Sequence, residues 1–277
     1  MRKILLSSLA AAALATPAAV QAGSPYVGIE TGFSQPRSSD VDETVGFSAT
    51  QTPAAPAAPA PPAGGEFDDT FAITYKKGYD VGLVGGYDFG FLRVEMELAQ
   101  KSMKLGHLKS DDITDEYLAT LNTVLNRPSA SPDPGAPGLG ALTMDDFELD
   151  GRMRLRSAMV NALVDWDVTK RFSIYGGGGY GFTWARSLGA SDSARGWQWL
   201  AGVRYGLTDK FDLGLKYRYF NSGIMTLRSD PQLYAGNPDR QVIAATTVDQ
   251  TINATVVPEI EGEIRTRSFL ASLIYNF

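Results

Sequence analysis

The sequence predicts an all-β fold: an eight-stranded antiparallel up-and-down transmembrane β-barrel with long extracellular loops. Three observations predict it. Apolar and polar residues alternate with a period of two over eight segments, and only one short stretch shows a helical period. Most segments run 9 to 16 residues, longer than strands of soluble sheets and long enough for a tilted strand to cross a bilayer. Short and long connections alternate along the chain, the layout of an outer-membrane barrel with its long loops outside.

Composition removes the competing classes. The chain has 277 residues, 44% of them hydrophobic, and a formal charge of −6. No run of ~18 apolar residues follows the N-terminus, which excludes a bundle of spanning helices. Cysteine is absent, so disulfides, thiolate metal sites and cysteine nucleophiles are excluded.

Residues 1–22 read as a secretory signal peptide. Arg2 and Lys3 form the positive start, Ile4 to Ala15 the apolar stretch, and Val20-Gln21-Ala22 the small-x-small site, with cleavage between Ala22 and Gly23. The expected product is an exported barrel domain, 23–277, with a charge of −8 once Arg2 and Lys3 are lost.

The strands are expected at 25–33, 79–88, 91–104, 152–166, 171–186, 196–207, 210–222 and 265–277. Phe89-Gly90, Asp167 to Lys170 and Thr208-Asp209 are the short turns. Residues 34–78, 105–151, 187–195 and 223–264 are the outer connections, and the three longest are read as loops.

Facing follows from the same period. Phe269, Ala271, Leu273, Tyr275 and Phe277 share one face of the last strand, and Phe211, Leu213, Leu215, Tyr217 and Tyr219 one face of the strand before it. An eight-stranded lumen is too narrow for so many Tyr, Trp and Phe. The apolar face therefore meets lipid, with aromatics in girdles at the two interfaces. The polar face lines the lumen and carries Glu30, Asp80, Arg93, Glu95, Glu97, Arg204, Asp212, Lys216 and Arg218. Unpaired charges in a dry lumen are costly. An ion-pair network is therefore expected among Glu30, Arg93, Glu95, Glu97, Arg204, Lys216 and Arg218.

The segments Tyr26-Val27-Gly28, Gly85-Gly86-Tyr87-Asp88-Phe89-Gly90, Arg93-Val94-Glu95-Met96-Glu97, Met159-Val160-Asn161 with Asp165-Trp166, Tyr175 to Gly181, and the terminal aromatic occur in a telling order. In them the chain resembles the OmpA-like family of eight-stranded outer-membrane barrels, in its alphaproteobacterial, surface-antigen-like branch. The resemblance implies the bacterial outer membrane as location. It also implies an assembly signal at Leu273, Tyr275 and Phe277, read by the barrel-assembly machinery. No peptidoglycan-binding domain follows the last strand, so cell-wall tethering is not implied.

Motifs that suggest chemistry have structural explanations. Gly176 to Gly181 contains G-x-G-x-x-G, but the strand continues through Phe182-Thr183-Trp184 where a dinucleotide site needs a helix. His107, the only histidine, lies near Ser110, Asp111 and Asp112 at the start of a loop and has no second histidine with which to hold a metal. No catalysis, cofactor or metal is expected, and no nucleic-acid partner.

The loops 34–78, 105–151 and 223–264 carry formal charges of −3, −7 and −4. They are read as solvated surface, with divalent-cation bridging to lipopolysaccharide as the sharper alternative. Residues 53–62 (PAAPAAPAPP) are expected as polyproline II. Ile113, Tyr117, Leu118, Leu121, Val124 and Leu125 fall at helical spacing after the cap candidate Ser110. That helix is expected on the barrel rim, with the membrane surface or a partner as alternatives.

The functional expectation is a monomer in contact with outer-membrane lipid and lipopolysaccharide. Its plugged lumen serves envelope integrity and surface display. A narrow porin-like channel and an adhesin acting through the acidic loops are the alternatives.

Overall fold

The computed structural model describes residues 23–52, 60–109, 112–130, 137–147, 151–187, 189–243 and 245–277. The expected signal peptide, with Ala22, and the first seven residues of the proline-rich segment lie outside these, as do Ser110 and Asp111.

In chain order the elements are β1 (Ser24–Pro36), β2 (Ser39–Thr52), β3 (Gly65–Tyr75), β4 (Gly78–Asp88), β5 (Leu92–Lys109), α1 (Asp112–Val124), β6 (Arg152–Thr169), β7 (Phe172–Ser187), β8 (Ala190–Gly206), β9 (Phe211–Arg228), β10 (Gln232–Tyr234), β11 (Asp239–Ile243) and β12 (Thr246–Asn276). Eight of them close a ring. β1 pairs β4, and the ring continues through β5, β6, β7, β8, β9 and β12. β12 returns to β1 from Tyr26 opposite Asn276 to Pro36 opposite Thr266, and every pairing is antiparallel.

The apolar face of this ring points outward, as the alternation requires. Leu83, Leu98 and Leu215 are 58%, 55% and 64% exposed, which only a lipid surround explains for leucines in the middle of three different strands. One aromatic girdle holds Phe89, Phe91, Trp166, Tyr205, Phe211 and Phe277 beside the short turns. The other holds Phe33, Tyr79, Phe182, Trp184, Trp199 and Phe269, nearer the opposite strand ends.

The long outer connections are corrected. Segments 34–78 and 223–264 are mostly strand, and β5 extends to Lys109 inside segment 105–151. β12 has 31 residues; at ~3.3 Å per residue it spans about 100 Å, roughly three times a hydrocarbon core. Its C-terminal part pairs β1, and its earlier part, Asp249 to Glu259, pairs β2. β3 likewise takes over from β4 as a neighbour of β5. The β2–β3 hairpin thus prolongs the wall begun by β1 and β4, and the barrel rises out of the lipid as a folded head. A register shift between Glu263 and Arg265 marks the passage from barrel to head, with Gly223 and Gly262 at positive φ (79° and 135°). Residues 187–195 are not a long loop either. β7 and β8 are joined across 188–189, where Gly189 has φ 84°.

These extensions form because alternation persists above the membrane. Val41, Val45, Phe71, Ile73, Ala254, Val256, Ile260 and Ile264 all point inward and join one apolar cluster. α1 completes that cluster rather than resting on the rim. Thr114, Tyr117, Leu121 and Leu125 are buried while Ile113 is exposed, so the buried stripe is narrower than the expected one. Leu142 and Phe147 close the cluster from the segment after α1. Asn122 clamps Leu142 through two backbone bonds, donating to its carbonyl at 3.0 Å and accepting from its N–H at 2.6 Å.

Candidate functional site

The lumen concentrates the buried charge of the molecule, and the period of two delivers each member. β1 contributes Glu30, β4 Asp80, and β5 Arg93, Glu95, Glu97 and Lys101 from alternate positions. β9 contributes Asp212, Lys216 and Arg218. β7 supplies almost nothing at mid-height, because Gly177, Gly179 and Gly181 face inward there. A Cβ at Gly179 would overlap the Asn161 Oδ1, and one at Gly177 or Gly181 the backbone of β6. The glycine run makes room for its neighbours' polar side chains.

Arg218 is the hub and is fully buried. One Nη donates to both Asp80 carboxylate oxygens at 3.0 and 2.9 Å. The other reaches Glu30 at 2.8 Å and Glu97 at 2.9 Å. Lys216 pairs with Glu30 and lies 3.4 Å from Glu95 and 3.8 Å from Glu97. Lys101 lies 3.9 Å from Asp80 and sits over the Phe220 ring. Neutral groups finish the network. Asn161 donates to Glu95, Gln198 donates to Asn161 and Glu97, and the Tyr26 hydroxyl donates to Glu95.

Glu30, Glu95, Glu97, Lys216 and Arg218 therefore meet in one cluster. The other two expected members sit lower and have other partners. Arg93 donates to Asp165 at 2.6 Å and stacks over Tyr175. Arg204 lies 3.7 Å from Asp88 and 3.8 Å from Asp212 at the turn-side mouth. Asp80 and Lys101 belong to the central cluster and were missed as members. Asp80 was legible as an inward charge, and Lys101 continues the same face of β5 two steps beyond Ala99. Asn161 and Gln198 carry no charge and so no signal beyond their facing.

Above this polar layer the lumen turns apolar. Met103, Met153 and Phe220 fill it, with Met159 and Leu155 beside Glu97 and Lys101 on the ladder, and all five join the cluster of the head. The closed antiparallel ring, its lipid-facing exterior and its charged interior define the architecture. A profile of the outer membrane protein beta-barrel domain matches residues 4–277.

The chain belongs to that family.

This outer-membrane barrel resides in the bacterial outer membrane. No curated protein matches it. Among solved structures it is similar to Neisserial surface protein A (15% identity, 92% of this chain and 99% of that one, TM-score 0.41). It is also similar to OprG from Pseudomonas aeruginosa (14% identity, 92% and 97%, TM-score 0.42). A third is Ail, the attachment invasion locus protein of Yersinia pestis, solved with a heparin analogue (13% identity, 86% and 98%, TM-score 0.29). In this barrel Leu273 and Tyr275 lie on the lipid face of the last strand, and exposed Phe277 directly follows it. His107 lies in β5, and its side chain is outside the described residues. Among the described residues no group of three or more His, Asp or Glu is placed to hold a metal ion.

With the short turns periplasmic, the head is extracellular. Among the described residues it buries one carboxyl, Glu43, among apolar neighbours of β2 and beside Tyr117. Burial pushes this carboxyl up to about 7. A raised acid pKa means the folded head holds a proton that the unfolded chain releases. Stability contributed by Glu43 is thus present below about pH 4.5 and falls as pH rises to about 7, by about 3 kcal/mol in all. Glu43→Gln should flatten this part of the profile. Thermal midpoints at pH 5.5 and 8 check it: the wild type should lose more than the variant, and equal losses would refute the assignment.

Proposed function

We propose that the protein is a closed outer-membrane barrel that anchors a folded extracellular head, serving envelope integrity and surface display. The carrying observation is that the lumen is filled at two successive heights. Glu97 and Arg218 are each no more than 1% exposed in the polar layer, and Phe220 and Met153, farther along the same strands and their neighbours, are equally buried above it. Side chains packed in this way support a lumen closed to a water column. The head supports the display role, because α1, Leu142 and Phe147 fix its interior and leave the acidic strands and turns outward. Leu273, Tyr275 and Phe277 stand at the lipid-facing C-terminal end of the chain, and this supports their reading as an assembly signal.

Planar-bilayer recording of the refolded protein tests the closed lumen. A silent bilayer is expected under moderate voltage. Reproducible unitary steps that change with Lys216→Ala would establish the narrow-channel reading in its place.

A further inference from the structure

Lys104, Arg152, Arg154, Arg156 and Arg186 form an exposed patch on the outward face of β5, β6 and β7. The register places Lys104 opposite Arg152 and Arg154 opposite Arg186. Like charges directly opposite on a ladder are destabilising, and here two such pairs stand side by side. Among the described residues none of the five has an acidic partner. Arg156 only donates to the Gln100 side chain, at 3.0 Å. Elsewhere on the outer wall Arg228, Arg240 and Arg265 are neutralised by Glu259, Asp249 and Glu263, each within 2.7 Å, and Arg195 and Arg267, exposed without an ion pair among the described residues, face Phe182 and Tyr219 across the ladder and not another cation. The patch is therefore not the ordinary charge pattern of this surface.

Its height is equally specific. Arg186 lies two residues above Trp184 and four above Phe182 on the same face of β7, about 7 and 13 Å along the strand. Those two rings are stacked in the outer aromatic girdle. The cations therefore stand at the headgroup level of the outer leaflet, with their stems over the apolar belt. A groove of about 930 Å³ begins at Arg154, Arg156 and Arg186 and runs down past Trp184 to Leu98, Leu83 and Ile29. Guanidinium groups above and leucine, isoleucine and tryptophan below match one kind of molecule, with phosphates at the top and several acyl chains beneath.

We propose that this patch is a binding site for a phosphorylated, multiply acylated glycolipid of the outer leaflet, of lipid A type. The phosphates bridge Arg154 and Arg186 and relieve their mutual repulsion, and the acyl chains occupy the groove. Contact is direct, in contrast to the cation-bridged contact through acidic loops that the sequence suggests.

The test uses the full-length barrel in detergent, with bisphosphorylated lipid A, fully dephosphorylated lipid A and inorganic pyrophosphate as probes. Native mass spectrometry gives occupancy and thermal shift gives stabilisation. Bisphosphorylated lipid A should bind at least tenfold more tightly than the dephosphorylated form. The double variant Arg154→Gln/Arg186→Gln should abolish that preference, while Arg265→Gln/Arg267→Gln on the far wall should retain it. Equal binding of the two lipids by the wild type would overturn the proposal without reference to any variant. An unchanged preference in the Arg154/Arg186 variant would also overturn it. Stabilisation by pyrophosphate as large as that by the lipid would make this a simple anion site and reject the lipid.

Discussion

Arg218→Ala is expected to destabilise the barrel by about 3–5 kcal/mol, the range for removing one partner from a buried ion-pair network. The guanidinium is fully buried and contacts Asp80, Glu30 and Glu97, three carboxylates from three strands. Its loss leaves these acids with Lys216 and Lys101 as their cations, and Lys101 lies 3.9 Å from its nearest oxygen. Lys216→Ala should cost less, because Arg218 still holds Glu30 and Glu97. The readout is the urea midpoint of the heat-modifiable folded band. A midpoint within error of wild type for Arg218→Ala would show that the network contributes nothing to cohesion. Replacing the hub and its acids together by apolar residues of similar volume should recover much of the loss, since the desolvation penalty of the ions then disappears with them.

The membrane ring was readable because lipid enforces a strict rule. Each outward residue in the hydrocarbon must be apolar, so the alternation of Leu92, Val94, Met96 and Leu98 with Arg93, Glu95 and Glu97 admits one facing only. That rule also fixes who enters the lumen, and it put Glu30, Glu95, Glu97, Lys216 and Arg218 there together. It does not fix height. Which inward residues share a layer depends on strand stagger, and stagger sends Arg93 to Asp165 and Arg204 to Asp88 and Asp212. The head was harder to read for a different reason. Outside the lipid the outward face of β2 and β12 carries Thr, Asp and Glu, so an inward stripe such as Val41, Glu43 and Val45 is diluted by polar neighbours and looks like loop. Glu43 itself interrupts the stripe. The basic patch was visible as Arg152, Arg154 and Arg156 in one strand, but only the register shows Arg186 opposite Arg154.

Leu121→Asp should release α1 from the head while the barrel stays folded. Leu121 is 1% exposed and lies in one cluster with Val45, Phe71, Tyr117 and Phe147. Truncating such a leucine costs about 2–5 kcal/mol, and an unpaired carboxylate in its place adds a desolvation penalty. Undocking α1 avoids both costs, because the helix is held mainly by this apolar face and by clamps that leave with it. Asn122 releases Leu142, and Asn237, which bonds the Asn126 and Leu139 backbone, loses its partners. The ring has no such dependence. The pairings of β1 with β4 and β12, and of β5 through β9, lie below the head and do not involve α1. Protease added to intact cells should therefore cut the variant between residues 112 and 147 at least tenfold faster than wild type. The membrane-protected fragments should still migrate as a heat-modifiable barrel. Equal cleavage rates would show that α1 is not held by its buried face. Loss of heat-modifiability would show that head and barrel fold as one cooperative unit, so that the apolar layer at Phe220 and Met153 transmits the damage downward into the charged lumen.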